Sequence, residues 1–260
     1  MTHSAVLFDL DGTIYQGGKL IPGAYEALLM LQEAKIPYRF ITNTTRMSND
    51  KLSIFLSSMG CSISPDVIFT TPRIAAMYCQ DKGYKKIQVT VADQDIKNDF
   101  SEFDLVADQP EAIVLGDMGE EFTFTLMNRL FNQILLGAEL IALHKNRFWI
   151  SELGHMLDIG SFVAALEFAT EISAVIIGKP SRSLFQLACL GWGVPVNEIL
   201  MVGDDMHADI GGALNVGMPS VLVKTGKFRS ENIGEFNYKP NYIIDSVADL
   251  PDILNLKRLK

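Results

Sequence analysis

Positive charge is scarce in this chain: 22 Lys and Arg stand against 31 Asp and Glu, a net charge of −9 over 260 residues. A groove for a nucleic-acid backbone, which needs clustered cations, is therefore not expected. Cysteine is scarcer still. Cys61, Cys79 and Cys189 are an odd number without CxxC spacing, each inside an apolar helical pattern, which excludes a disulfide framework and fits free thiols in a reducing cytoplasm. Uninterrupted apolar runs of about 18 residues are missing, because Glu167 and Glu171 break the best candidate before Ile176, and Met1–Ala5 enters a strand without a basic leader. Neither a membrane span nor a signal peptide is expected. Phosphate-loop motifs are absent too: the glycine-lysine pairs at Lys179 and Lys227 lack the earlier glycine of GxxxxGK[ST], and no GxGxxG occurs.

What is present reads as a folded α/β protein. Hydrophobic residues make up 48% and charged residues 20%, and the length suits one large domain or one domain carrying an insertion. The acids are unevenly placed: between Asp93 and Glu121 there are ten Asp and Glu, with Lys97 the one cation among them. That run is read as a solvated face, with a docking site for a basic partner as the alternative.

Ser4–Leu10 is a short apolar run closed by Asp-Gly, as in a buried parallel strand. Helix, strand, helix and strand follow at Pro22–Leu31, Ile36–Thr42, Ser48–Met59 and Val67–Thr70, and Thr71-Pro72 opens another helix. The same alternation returns after residue 174: strand 174–178, helix 181–190, strand Ile199–Gly203, helix His207–Asn215 and strand Val221–Lys224. Tyr242–Ile244 and a last helix with the capping box Ser246…Asp249 follow. Such alternation implies a doubly wound parallel sheet whose ligand site lies beyond the carboxyl ends of its strands. Between the halves, further strands (Ile87–Ala92, Ala112–Leu115, Leu140–Leu143, Arg147–Ile150) and two helices (Phe122–Leu136, Gly160–Glu171) make a second, smaller α/β unit. The expected division is core 1–81, insertion 82–173, core 174–260.

The chemistry-bearing residues gather at the strand ends. Asp9-Leu10-Asp11-Gly12-Thr13 ends the first strand, where alternation starts both carboxylates on one face and Gly12 permits a sharp turn. Thr42-Asn43, Lys179, and Gly203-Asp204-Asp205 with Asp209 follow later strands. Carboxylates this close repel unless a cation lies between them, and all-oxygen ligation beside a phosphate suits Mg²⁺. A lysine, a threonine hydroxyl and backbone N–H groups can hold phosphate oxygens.

The segments FDLDGTIY, ITNTTR, LGDMGEEF, MLDIG, IIGKPS and MVGDDMHADIGGALNVGMPSVLVKTGKFR, in this order, resemble the haloacid dehalogenase superfamily. The closer likeness is to its class with an α/β cap inserted after the third core strand (subfamily IIA, NagD-like). The resemblance implies a Mg²⁺-dependent phosphatase of small phosphorylated molecules. Asp9 would be the nucleophile and Asp11 the general acid and then base. The metal would be held by the Asp9 and Asp204 carboxylates and the Asp11 backbone carbonyl, with Asp205 and Asp209 behind them. Thr42 and Asn43 would bind the transferring phosphate, and Lys179 would offset its charge and orient Asp9. Such proteins commonly pair through the cap, so the resemblance also implies a homodimer. A binding protein of low turnover and a phosphotransferase to an acceptor other than water remain the alternatives.

Three further residues are expected substrate contacts, each with a plainer reading beside it. Arg46 follows the phosphate loop or caps the next helix. Asp117 either faces the site from the insertion or, with Glu120 and Glu121, complements a helix dipole. Lys145 ends a strand of the insertion and reaches a leaving group or solvent.

Overall fold

The computed structural model describes residues 3–45, 47–151 and 154–256. Arg46 and the basic end Lys257, Arg258 and Lys260 lie outside the described residues. Along the chain, β1 (Ala5–Phe8), β2 (Tyr15–Gln16), β3 (Lys19–Leu20), β4 (Tyr38–Thr42) and β5 (Ile68–Thr70) come first. They are followed by β6 (Lys86–Thr90), β7 (Asp104–Leu105), β8 (Ala112–Leu115), β9 (Glu139–Ala142), β10 (Phe148–Ser151), β11 (Gly154–Leu157) and β12 (Val175–Ile176). The chain closes with β13 (Ile199–Gly203), β14 (Ser220–Val223) and β15 (Tyr242–Ile244). Backbone contacts divide it into two compact units, residues 1–42, 49–69 and 179–260 in the first and 43–48 and 70–178 in the second.

The first unit is built on a sheet ordered β15-β14-β13-β1-β4-β5. β1 runs parallel to β13 and to β4, and β14 runs parallel to β13 and β15. A strand covered on both faces must be apolar throughout, and β1 (Ala-Val-Leu-Phe) and β14 (Ser-Val-Leu-Val) are buried along their whole length. Each fully buried leucine, valine or phenylalanine here contributes roughly 1.5–3 kcal/mol. The helices α1 (Ala24–Glu33) and α2 (Asn49–Ser58) bury Leu28 with Leu31, and Leu52 with Leu56, which lie at i,i+3 or i,i+4 spacing on one face of each helix. From β1 the chain winds outward through β4 and β5, then returns to lay β13, β14 and β15 on the other side. The winding reverses between β1 and β13, and in sheets of this kind the ligand crevice opens there, beyond the carboxyl ends.

The second unit has its own sheet, ordered β12-β9-β8-β6-β7 with parallel pairings, and an antiparallel ribbon β10-β11. Its helices are α3 (Thr71–Asp81), α4 (Phe124–Leu135) and α5 (Ile159–Thr170). The core of this unit joins Ile113 and Leu115 of β8, Leu140 and Ala142 of β9, Leu130 and Ile134 of α4, and Val163 and Leu166 of α5.

Two sequence expectations change. The apolar run 174–178, expected to restart the first sheet, instead pairs Val175 with Ile141 and Ile176 with Ala142, so β12 is an edge strand of the second unit. An apolar run fits any parallel sheet, and its two-residue length gives no sign of which partner it takes. The helix expected over His207–Asn215 begins as a wide turn at Met206–Gly211 and becomes α-helical over Gly212–Val216. There the Ile210 N–H donates to the Asp205 carbonyl five residues back, at 3.2 Å. Wide turns of this kind concentrate at functional sites.

Candidate active site

At the end of β1 the Asp9 backbone N–H donates to the Val202 carbonyl of β13 at 2.9 Å, which fixes that residue at the point where the winding reverses. The chain then turns at Gly12, with φ of 92°. Two glycines make room for a carboxylate here. A Cβ on Gly12 would lie 2.2 Å from Asp204 Oδ2, and one on Gly226 would lie 2.0 Å from the same atom. Asp9 is buried, and Asp11 is exposed at the mouth two residues on.

Lys179, which begins the return of the chain to the first unit, is buried and reaches two of the acids. Its Nζ donates to Asp9 Oδ1 and, at 2.8 Å, to Asp209 Oδ1. Asp209 is fully buried and commits its other oxygen to the Asp205 N–H at 3.1 Å. Asp204 Oδ2 accepts from the Lys227 N–H at 2.6 Å. Asp205 turns away from this group, its Oδ1 capping the wide turn by accepting from the His207 and Ala208 N–H groups, each at 2.9 Å.

One carboxylate oxygen from each of Asp9, Asp204 and Asp209 lies within 4.8 Å of the other two. The charge states show what such crowding costs. Burial, then the charges of Asp9 and Asp209, push Asp204 up to about 7. Burial also raises Asp209, with Asp9 adding to it, although Lys179 acts in the opposite direction. For Lys179 burial is outweighed by Asp209 and Asp9, which hold it charged. Asp11 is raised by lost hydration and next by Asp9. Asp205 is lowered: its burial is overcome by the Ala208 N–H, Lys227 and the His207 N–H. Buried, mutually repelling carboxylates with only hard oxygen atoms to offer are the donor set that a small divalent cation such as Mg²⁺ satisfies. The residues present therefore fit such an ion.

Of the site residues expected from sequence, the fold brings Asp9, Lys179, Asp204, Asp205 and Asp209 together, with Asp11 beside them. Thr42 is buried at the end of β4 in the same unit. Asn43, the next residue, is half-buried and belongs to the second unit, where its Oδ1 would lie 2.8 Å from a Cβ on Gly178. Asp117 accepts from the Gly119 N–H at 2.9 Å, and Lys145 pairs with Glu167, both within the second unit. Arg46 is among the undescribed residues.

Sequence reading missed the loop after β14. Thr225 donates its hydroxyl to the Gly12 carbonyl at 2.5 Å, and Lys227 adds an Nζ contact to Asp205 at 3.3 Å besides its backbone bond to Asp204. In the sequence Lys227 stands in the last segment that carries the family resemblance and in a glycine-lysine pair that is no phosphate loop, and neither assigns it a role. Its backbone role leaves no mark on residue type, while the glycine beside it was the available signal.

Comparison with known proteins agrees with the geometry. A haloacid dehalogenase-like hydrolase family model matches residues 6–106, and a second model, HAD-hydrolase-like, matches residues 176–250. Haloacid dehalogenase-like hydrolase domain-containing protein 2 of Bos taurus is 38% identical over 248 residues, covering 95% of this chain and 94% of that protein. Phospholysine phosphohistidine inorganic pyrophosphate phosphatase of Bos taurus is 33% identical over 256 residues, 96% and 93% of the two chains. The crystal structure of 4-nitrophenylphosphatase from Thermotoga maritima superposes with a TM-score of 0.87 at 27% identity, covering 96% and 97%.

Proposed function

The chain belongs to the haloacid dehalogenase-like hydrolases and is a phosphatase of that family; from that premise we propose that it hydrolyses small phosphorylated molecules with Mg²⁺, the phosphoryl group passing through Asp9. The observation that supports this reading best is the meeting of Asp9, Lys179, Asp204 and Asp209 at the reversal of the sheet, with Asp11 at its mouth.

In the first step an Asp9 oxygen attacks phosphorus while the bond from phosphorus to the leaving oxygen breaks, and Asp11 gives that oxygen a proton. In the second, water attacks the phosphorus, Asp11 takes its proton, and the Asp9–phosphorus bond breaks to release inorganic phosphate. Phosphoryl transfer depends on positioning and charge neutralisation more than on covalent chemistry. Lys179 serves both ends, because its ammonium holds the Asp9 carboxylate in one orientation and offsets the charge of an arriving phosphate. Thr42 and Asn43 are read as donors to the phosphate oxygens. Mg²⁺ would be held by the Asp9 and Asp204 carboxylates and the Asp11 carbonyl, and when bound it supplies the positive charge these acids lack. Asp209 and Asp205 position Lys179, Lys227 and the turn.

The inserted unit is read as the cap, and choice of substrate is assigned to it. Phosphoramidates and pyrophosphate, the substrates in the name of one relative, head the panel to be tried. Pairing of two copies through the cap belongs to this reading and draws support from Phe124, Leu136 and Phe168, which are 84%, 80% and 88% exposed. A reducing, cytoplasmic setting is supported by three free cysteines, and no helix of the described residues is long and apolar enough to cross a membrane.

The test of the covalent step is a rapid quench during turnover of p-nitrophenyl phosphate, followed by borohydride reduction and peptide mass spectrometry. Reduction of an acyl phosphate converts Asp9 to homoserine. Turnover with no such conversion at position 9 contradicts the proposal.

A further inference from the structure

The second unit contains a cavity of about 340 Å³ that the chemistry at Asp9 does not use. It is lined by Gln88 and Thr90 of β6, by Leu126 and Arg129 of α4, and by Lys97. That volume is at the small end of the range for metabolite sites, roughly 300–1,000 Å³.

Three observations bear on what it would hold. First, its cations are unpaired. Lys97 is the one cation among ten acids in its stretch of sequence, yet among the described residues the side chains of Lys97 and Arg129 have no hydrogen-bond or ion-pair partner, whereas Lys145 of the same unit pairs with Glu167. A lysine surrounded by carboxylates in sequence but turned to a cavity alongside an arginine creates a local positive potential in an acidic unit.

Second, its lining residues Gln88 and Thr90 belong to an ordered polar chain that ends on a hydroxyl proton. Gln133 Nε2 donates to Gln88 Oε1 at 2.8 Å and to the Ala107 carbonyl at 2.7 Å, and Gln88 Nε2 donates to Thr90 Oγ1 at 3.0 Å. Thr90 Oγ1 thus accepts from the glutamine and keeps its own proton to donate. All three side chains are buried, so this chain is held in place rather than solvated.

Third, the wall is an open strand edge. β7 pairs only with Lys86 and Ile87, the Val106 N–H closing on the Ile87 carbonyl at 3.0 Å. In a parallel ladder alternate residues point their backbone groups to opposite neighbours. The Val89 backbone therefore faces the side from which β7 has departed, where the cavity lies. The cavity is also at a reversal of winding: from β6 the chain goes to β7 on one side and later to β8 on the other.

An ammonium, a guanidinium, a hydroxyl proton and a strand-edge N–H are all donors, and Val106, Met118 and Leu126 add apolar wall. From this we propose a second ligand site, built from residues other than the Asp9 cluster, that binds a small organic anion bearing a phosphate or carboxylate group, the anion held by Lys97 and Arg129 and the organic body against the apolar wall.

The test is isothermal titration of the 260-residue chain in EDTA with phenylphosphonate and with phenylacetate, comparing wild type with the Lys97→Gln/Arg129→Gln double variant. At least one probe is expected to bind wild type with Kd below about 1 mM and to weaken by about tenfold or more in the double variant. Turnover of p-nitrophenyl phosphate by that variant is expected to stay within about twofold of wild type, since neither residue is among those that bind the phosphate or surround Asp9. Binding of phenylphosphonate alone assigns phosphate esters, and binding of phenylacetate, with or without the other, assigns carboxylates. Thr90→Val, which removes the hydroxyl proton at nearly constant shape, is the second variant and should weaken the same probe. Affinities unchanged in both variants, or no binding of either probe at about 10 mM, overturn the proposal.

Discussion

Replacing Asp204 by Asn should stabilise the metal-free protein while removing its activity. In EDTA, burial and the charges of Asp9 and Asp209 push Asp204 from an ordinary 3.8 up to about 7. For an acid whose value is raised by folding, the penalty is absent below the unfolded value and complete above the folded one. Metal-free wild type should therefore lose stability as pH rises from about 4 to about 7, by up to about 4 kcal/mol at roughly 1.4 kcal/mol per pH unit. Asn carries no charge to penalise, and its side-chain oxygen can still accept from the Lys227 N–H. At roughly 2–4 °C per kcal/mol for a chain of this size, a recovered 2–4 kcal/mol raises the melting temperature by about 5–10 °C. Differential scanning calorimetry at pH 5 and pH 8, in EDTA and in Mg²⁺, separates the terms. The variant should be the more stable protein in EDTA at pH 8, the difference should shrink at pH 5, and Mg²⁺ should raise the melting temperature of wild type only. A variant less stable than wild type in EDTA, or one stabilised equally by Mg²⁺, would refute the electrostatic reasoning.

Other consequences can be measured separately. Gly226→Ala would place a Cβ 2.0 Å from Asp204 Oδ2 and 2.6 Å from the Gly12 Cα, at φ of 61°; a loss of more than about 2 kcal/mol in urea unfolding is expected, and an unchanged midpoint would show that the loop can yield. Thr13 is fully buried with its hydroxyl unpartnered, so Thr13→Val should raise stability by about 1 kcal/mol, and a loss of similar size would mean the hydroxyl has a partner such as water. Burial raises the Cys61, Cys79 and Cys189 thiols to about 11, 12 and 12. All three remain thiols at about pH 8 and should resist iodoacetamide in the folded protein but not in guanidinium; rapid native alkylation would contradict this.

The site was legible where chemistry resides in a residue type at a strand end. Asp9, Asp11, Lys179 and the Asp204–Asp209 group each follow an apolar run; β1 and β13 are parallel neighbours, which brings the ends bearing Asp9 and Asp204 together, whereas Lys179 follows β12 of the other sheet and reaches Asp9 as the chain re-enters the first unit. Contacts made by the backbone were hidden: the Lys227 N–H on Asp204 and the close approach of Gly12 to Gly226 depend on a missing Cβ and a loop path, which residue identity does not encode. Elements decided by tertiary pairing were hidden for the same reason. β12 is two residues long and takes β9 as its neighbour, and β7 and β11 are too short and too exposed to show an alternating pattern. The helix onset after Asp205 moved because Asp209 turns inward to Lys179, a partner 30 residues earlier in the chain that reshapes the turn. The Ser246…Asp249 capping box, a purely local device, forms as the sequence indicates.

The central claim is that Asp9 carries the phosphoryl group in a metal-dependent hydrolysis. Its most direct test is release of inorganic phosphate from p-nitrophenyl phosphate and a panel of phosphoramidates, pyrophosphate and phosphate monoesters, with Mg²⁺ or EDTA, by wild type beside Asp9→Asn. Release that requires Mg²⁺ and falls by about a thousandfold or more in a folded Asp9→Asn protein is the predicted result; an Asp9→Asn protein that keeps more than about a few per cent of wild-type turnover would contradict it.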